Sequence, residues 1–289
     1  MFGYCLISDL KPLENWNVSK CENLSHIFSS CKDLSDISPL KNWDVSNCKN
    51  LSYLFSYCNI SDINPIKDWN VSKCEDLNNM FSSCKNLSDI SPLKNWDVSN
   101  CKSLSYSFDG CNVCDLNPIK DWNVSNVKDF SGLFFDIKNL SDISPLENWN
   151  ISNSKKLSAL FDGCENLSDI SPLKKWNISK CENISSLFWG CKKLSDISPL
   201  KNWNVSNVKD LGSLFSGCEN LSDISLLKNW NVSKCENING LFRSWKKLSD
   251  ISLLKNWNVS NVKDLGYLFC ECENLSDVSP LKNWNVSKC

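Results

Sequence analysis

A solenoid of about ten to eleven stacked coils is the fold class this sequence predicts. Tryptophan recurs at Trp16, Trp43, Trp69, Trp96, Trp122, Trp149, Trp176, Trp203, Trp230, Trp257 and Trp284, always 26 or 27 residues apart. The words around each tryptophan also recur, as in "SPLKNWNVSNVKDLGSLFSGCENLSDIS" from Ser198 to Ser225. Finally, the apolar positions of that unit mostly step by three: Val205, Val208, Leu211, Leu214, Phe215, Cys218, Leu221, Ile224. Such spacing fits neither a continuous strand, with side-chain period two, nor one long helix, with period 3.6. It suits a chain that turns repeatedly while keeping one side inward. One unit cannot bury that side alone; stacked copies join their apolar sides into a continuous core.

Each coil is expected to contain short β-strands and a short helix. Leu211, Leu214, Phe215 and Cys218 follow the i, i+3, i+4, i+7 rule, which predicts a short helix over "VKDLGSLFSGC". Extended pieces are expected at "NWNVS" and "LSDIS", with corners at the proline of "SPL" and at asparagine-rich stretches. The opening words align with Phe55 to Trp69 and Cys289 breaks off inside a unit, so the array is read as one domain, 1–289. It begins and ends mid-repeat, without separate caps, linker or second domain. Uncapped ends would leave Phe2, Leu6, Trp284 and Val286 facing outward, which predicts end-to-end self-association or terminal fraying.

Composition narrows the function classes. A 42% hydrophobic, 22% charged chain of net charge −2 is that of a folded soluble protein. Acidic and basic residues are interspersed, without the clustered basic footprint of a nucleic-acid binder. No apolar run approaches the ~20 residues needed to span a bilayer. The first residues carry no basic segment followed by a long apolar one, so no signal peptide is expected and an intracellular place is favoured.

Eighteen cysteines fall mainly into two columns. One follows the Leu-Phe pair and includes Cys31, Cys58, Cys84, Cys164 and Cys218; the other lies five residues after tryptophan and includes Cys48, Cys101 and Cys235. Their replacements are informative: Val127, Val208 and Val262 in the second column, Ile137 and Trp245 in the first, with Ser154 the polar exception. Exchange with aliphatic residues marks a small buried hydrophobe rather than a metal ligand. The only CxxC, Cys111 to Cys114, lacks a second knuckle. No metal site or cofactor is predicted. The tryptophan column is expected in the core, where burying ~200 Å² at ~25 cal/mol/Å² is worth about 5 kcal/mol per coil before entropy.

Aspartate occupies one column without exception, from Asp9 and Asp36 to Asp250 and Asp277. In-register stacking would bring neighbouring carboxylates to about 5 Å, where they repel by ~1–3 kcal/mol per pair. Either each aspartate accepts backbone N–H groups at a turn, with the Lys41, Lys94 and Lys201 column adding screening, or the column binds calcium; the missing Gly-rich turns favour the first. Sequons such as Asn17, Asn70 and Asn204 are likewise read as turn residues. His26 is the sole histidine and is expected at the surface. No phosphate loop occurs, and no set of residues is seen to depart jointly from the repeat to build a catalytic centre, so no enzyme is predicted.

The pattern W-N-V-S-N-V-x-x-L-x-x-L-F-x-x-C-x-x-L-x-x-I resembles the BspA-type surface-protein repeat, the mycoplasma lipoprotein-associated repeat, over essentially the whole chain. Leucine often stands here where that family has Met before Phe, and cysteine is more frequent. The resemblance implies a leucine-rich-repeat-like solenoid that binds proteins or cell surfaces, often from a cell-surface position. Two functions therefore compete: a non-enzymatic scaffold for protein–protein interaction, and a surface adhesin or host-contact protein. Specificity must come from exposed positions that vary between copies. Tyr53 and Tyr106, immediately before the Leu-Phe pair, and Trp189 and Arg243, just after Phe, are the candidate partner-binding residues, being of the types that anchor interfaces.

Overall fold

A computed structural model describes residues 2–289. Its backbone winds through coil after coil with the same three corners, each built by an Asp or Asn side-chain oxygen closing on the backbone two residues ahead. The exceptions are the third corners of two coils, where Ser103 and Lys156 stand instead. In the coil at Trp203, Asp196 Oδ1 accepts the Ser198 N–H at 2.8 Å, Asn204 Oδ1 accepts the Ser206 N–H at 3.1 Å, and Asp210 Oδ1 accepts the Gly212 N–H at 2.9 Å. Short Asx side chains make such closures readily, which accounts for their columns.

After the first corner comes a 3₁₀ helix, Ser198–Asn202, and each of the eleven units has its counterpart, from Lys11–Leu13 to Ser279–Leu281. Proline at the second position of most of them is pre-set for a first turn and has no N–H to leave unpaired. Trp203 then leaves the helix in extended conformation, φ −69°, ψ 125°.

The expected helix over "VKDLGSLFSGC" is not there. That segment is a run of overlapping turns in which Leu214 bonds back to Leu211, Ser216 to Ser213 and Cys218 to Phe215. Ser213 and Gly217 sit at φ 54° and 74°, left-handed values that no right-handed helix admits. The freed N–H groups of Leu211, Ser213 and Gly217 reach the next coil instead, to the carbonyls of Asn237, Asn239 and Arg243 at 2.9, 2.6 and 2.9 Å. An i, i+3, i+4, i+7 apolar pattern thus arises from stacked turns, because each turn advances three or four residues and must keep its apolar member inward. Strands are likewise reduced to single parallel bridges, one per coil, from Asn23↔Asn50 through to Asn237↔Asp264.

The core is a set of vertical columns. Trp203 is 4% exposed, and its indole N–H donates to the Leu173 carbonyl of the preceding coil at 3.2 Å; the same bond recurs at most tryptophans. Phenylalanines Phe134, Phe161, Phe188 and Phe215 stack with ring centroids 5.8–6.0 Å apart. Cys191 and Cys218 are buried, each thiol donating to the phenylalanine carbonyl one coil back, Phe161 and Phe188. Burial drives their thiols far above the ordinary value, and holds Cys101 and Cys181 at about 12. Such thiols are core groups, not nucleophiles. Trp245, the odd replacement in this column, donates its indole N–H to the Phe215 carbonyl at 2.9 Å, so the larger side chain keeps the bond that a cysteine makes there.

Candidate interaction surface

The aspartate column belongs to the corners. From Asp9 to Asp277 every Oδ1 accepts the backbone N–H two residues on, at 2.7–2.9 Å. These bonds hold the carboxyls of Asp115, Asp250 and Asp277 below their ordinary value. The expected screening by Lys41, Lys94 and Lys201 takes another form: among the described residues no ion pair joins that column to the aspartates. Ion pairs instead climb between coils, as in Lys49–Glu22 at 2.9 Å and Lys209–Glu182 at 2.8 Å.

The four candidate residues lie in two columns of the turn segment and do not form one cluster. Tyr53 and Tyr106 occupy the left-handed position, at φ 57° and 55°. Tyrosine there is uncommon, and the strain is accepted because the neighbouring N–H groups are held by the next coil. Tyr53 stacks on the exposed His26 ring, 4.3 Å between centroids and 10° between planes. Tyr106 lies flat over Gly132, where a Cβ would meet its ring at 2.1 Å, and tilts against Phe135 at 6.2 Å. Any larger residue at 132 would expel that ring.

Trp189 and Arg243 occupy the position after phenylalanine. Trp189 is 46% exposed. Arg243 pairs with Glu271 at 3.2 Å and lies over the Tyr267 ring at 5.6 Å, a cation–π arrangement. Elsewhere this column holds buried serines: Ser29, Ser56, Ser82 and Ser216.

Between those serines the column reads Asp109, Phe135, Asp162, Trp189 on four successive coils. The repeat is therefore broken jointly, contrary to the sequence expectation. Asp109 accepts the Ser82 hydroxyl at 2.7 Å, and burial raises its carboxyl above the ordinary value. Asp162 is 7% exposed, its Oδ1 has no hydrogen-bond partner, and burial beside Asp136 pushes its carboxyl up to about 7. The sequence signal was available, since serine gives way to aspartate at two places in one column. It is visible only once the column is known to be one surface.

The model of the family described as Mycoplasma protein of unknown function, DUF285, matches residues 1–115, 102–225 and 214–289. This chain belongs to that family, the mycoplasma repeat family its words resemble. No protein of curated function matches it. Among solved structures it is similar to a leucine-rich cell surface protein of Faecalibacterium prausnitzii, at 15% identity over 87% of this chain and 74% of that one, TM-score 0.43. It is similar also to a leucine-rich repeat protein of Eubacterium ventriosum, at 14% identity over 91% and 77%, TM-score 0.40. Internalin C2 of Listeria monocytogenes is matched at 17% identity over 92% and 78%, TM-score 0.32.

Proposed function

We propose that this member of the family is a non-enzymatic scaffold whose turn columns recognise a protein partner. The observation that carries the reading is where variation falls: core columns repeat, whereas the two turn columns exchange Ser, Gly and Asn for Tyr53, Tyr106, Trp189 and Arg243. Aromatic rings and guanidinium on a rigid backbone present contact area with little ordering cost, as interface anchors do. Replacing all four with serine is expected to leave circular dichroism unchanged and to abolish capture of the native partner in a pull-down. Unaltered capture sinks the reading.

A second reading, a cell-surface adhesin, is favoured by the repeat words shared with the BspA-type family. Loss of the protein from intact cells treated with protease supports it, and full protection counts against it. Self-association belongs to the proposal as well. Leu6 and Val286 are exposed, while Phe2 and Trp284 are only partly buried at the outermost coils. Copies of the 289-residue chain should therefore join end to end in an open, heterologous manner. Sedimentation velocity over a concentration series reads this step, and a concentration-independent monomer overturns it.

A further inference from the structure

The stripe Asp109–Phe135–Asp162–Trp189 alternates acid and aromatic along one column, flanked by Tyr106 and Asp136. Nowhere else does this column carry an acid; its interior residues on either side are serines, small, neutral and buried. Packing does not ask for the aspartates, since serine fills the same position at Ser82 and Ser216. Asp162 moreover has one carboxylate oxygen out of water and without any donor. An orphaned buried acceptor costs free energy that only an incoming donor removes.

The cations already present serve other groups. Lys138 stands 3.9 Å from Asp136, and Lys156 pairs with Asp129 at 3.4 Å. Among the described residues no three carboxylate, thiol or imidazole groups converge in the way a metal ion needs. Tyr106 and Phe135 meet at a tilt of 53° beside the acids, and Trp189 stands exposed on the next coil. Carboxylates interleaved with aromatic faces suit an organic cation, which gains charge-assisted hydrogen bonds from the first and cation–π attraction from the second.

We propose that this stripe binds an extended basic segment of the partner protein through two arginine or lysine side chains spaced three residues apart. The spacing follows from geometry. Asp109 and Asp162 are two coils apart, about 10 Å at a strand separation of ~4.8 Å. Three residues of polyproline II chain at ~3.1 Å each cover nearly the same length and return the side chain to the same face. The inference rests on the scaffold reading and names the chemistry of its partner. Binding removes the orphaned state of Asp162, so the segment's cation takes a place that the fold leaves vacant at a cost.

The test is calorimetric titration of the whole chain with two capped hexapeptides, Ala-Arg-Ala-Ala-Arg-Ala and Ala-Ala-Arg-Arg-Ala-Ala. The first is expected to bind more tightly than the second. The pair Asp109→Asn and Asp162→Asn should weaken it at least about tenfold, since each lost charge-assisted bond is worth roughly that factor. The pair Asp196→Asn and Asp223→Asn, which removes the same charge at the corners, should leave binding unchanged. Equal weakening by both pairs means diffuse attraction and overturns the site, as does absence of binding to the unaltered protein. Stoichiometric displacement of the peptide by calcium would make the stripe a metal site and also overturn the proposal. None of these failures touches the scaffold reading, which stands or falls on partner capture by the fourfold serine variant.

Discussion

Trp203→Ser is expected to destabilise the array by about 3–5 kcal/mol, the range for removing a buried aromatic from a packed core. The indole is 4% exposed, and its N–H holds the Leu173 carbonyl across the coil boundary at 3.2 Å. Deleting it leaves a cavity in one column and removes the bond across the coil boundary. That carbonyl keeps only the Trp176 N–H of its own coil at 3.0 Å, and the serine hydroxyl is too short to replace the lost donor. Coils contact only their neighbours, so the damage is local in structure while its consequence is global. A solenoid is stabilised by nearest-neighbour interfaces, and one weakened interface lets the two halves unfold separately. Urea unfolding followed by far-UV circular dichroism should show a lower first midpoint and a broadened or split transition. A loss below ~1 kcal/mol with one sharp transition would mean that the tryptophan column is not what couples the coils. Tyr57→Ser, at an exposed left-handed position, is the contrasting substitution and should lie within about 0.5 kcal/mol of the parent.

The difference between what the sequence shows and what it hides follows the same physics. Trp203, Phe215 and Cys218 are visible as core because an array repeats whatever stacking constrains, and the Cys218 column accepts only apolar replacements, Ile137 and Trp245. The aspartate column is legible as a corner because Asx chemistry is local: Asp196 needs only the backbone two residues ahead. The turn segment misleads because period alone does not report φ. Ser213 at φ 54° is invisible in a string of letters that also allows tyrosine or histidine at that position. What makes the conformation tolerable, the N–H of Ser213 reaching the Asn239 carbonyl, is a contact 26 residues away. The stripe from Asp109 to Trp189 is hidden for a related reason. Each member looks like ordinary variation in its own coil, and only vertical stacking brings the two aspartates and two aromatics into one line.

Asp162→Asn is expected to stabilise the protein at pH 8 by as much as ~4 kcal/mol and to change little near pH 4. The folded protein holds this carboxyl at about 7, against an ordinary value of 3.8, because burial and the Asp136 charge disfavour the anion. At about 1.36 kcal/mol per unit that gap sets the upper size of the effect. Its direction follows from proton binding. Between those two values the folded chain keeps a proton that the unfolded chain has released, so stability falls as pH rises from about 3.8 to about 7 and is constant beyond. Asparagine, neutral throughout, escapes the loss. Corner aspartates act in the opposite sense: hydrogen bonds hold Asp115, Asp250 and Asp277 below the ordinary value, so their contribution is present above it and disappears on acidification. Both proteins share that acid loss. Subtracting the urea midpoints of variant and parent from pH 4 to 8 therefore isolates Asp162, and the difference should grow with pH and level off near 7. A flat difference would show that the carboxylate is solvated or already paired, and the orphaned acceptor on which the basic-segment site depends would then not exist.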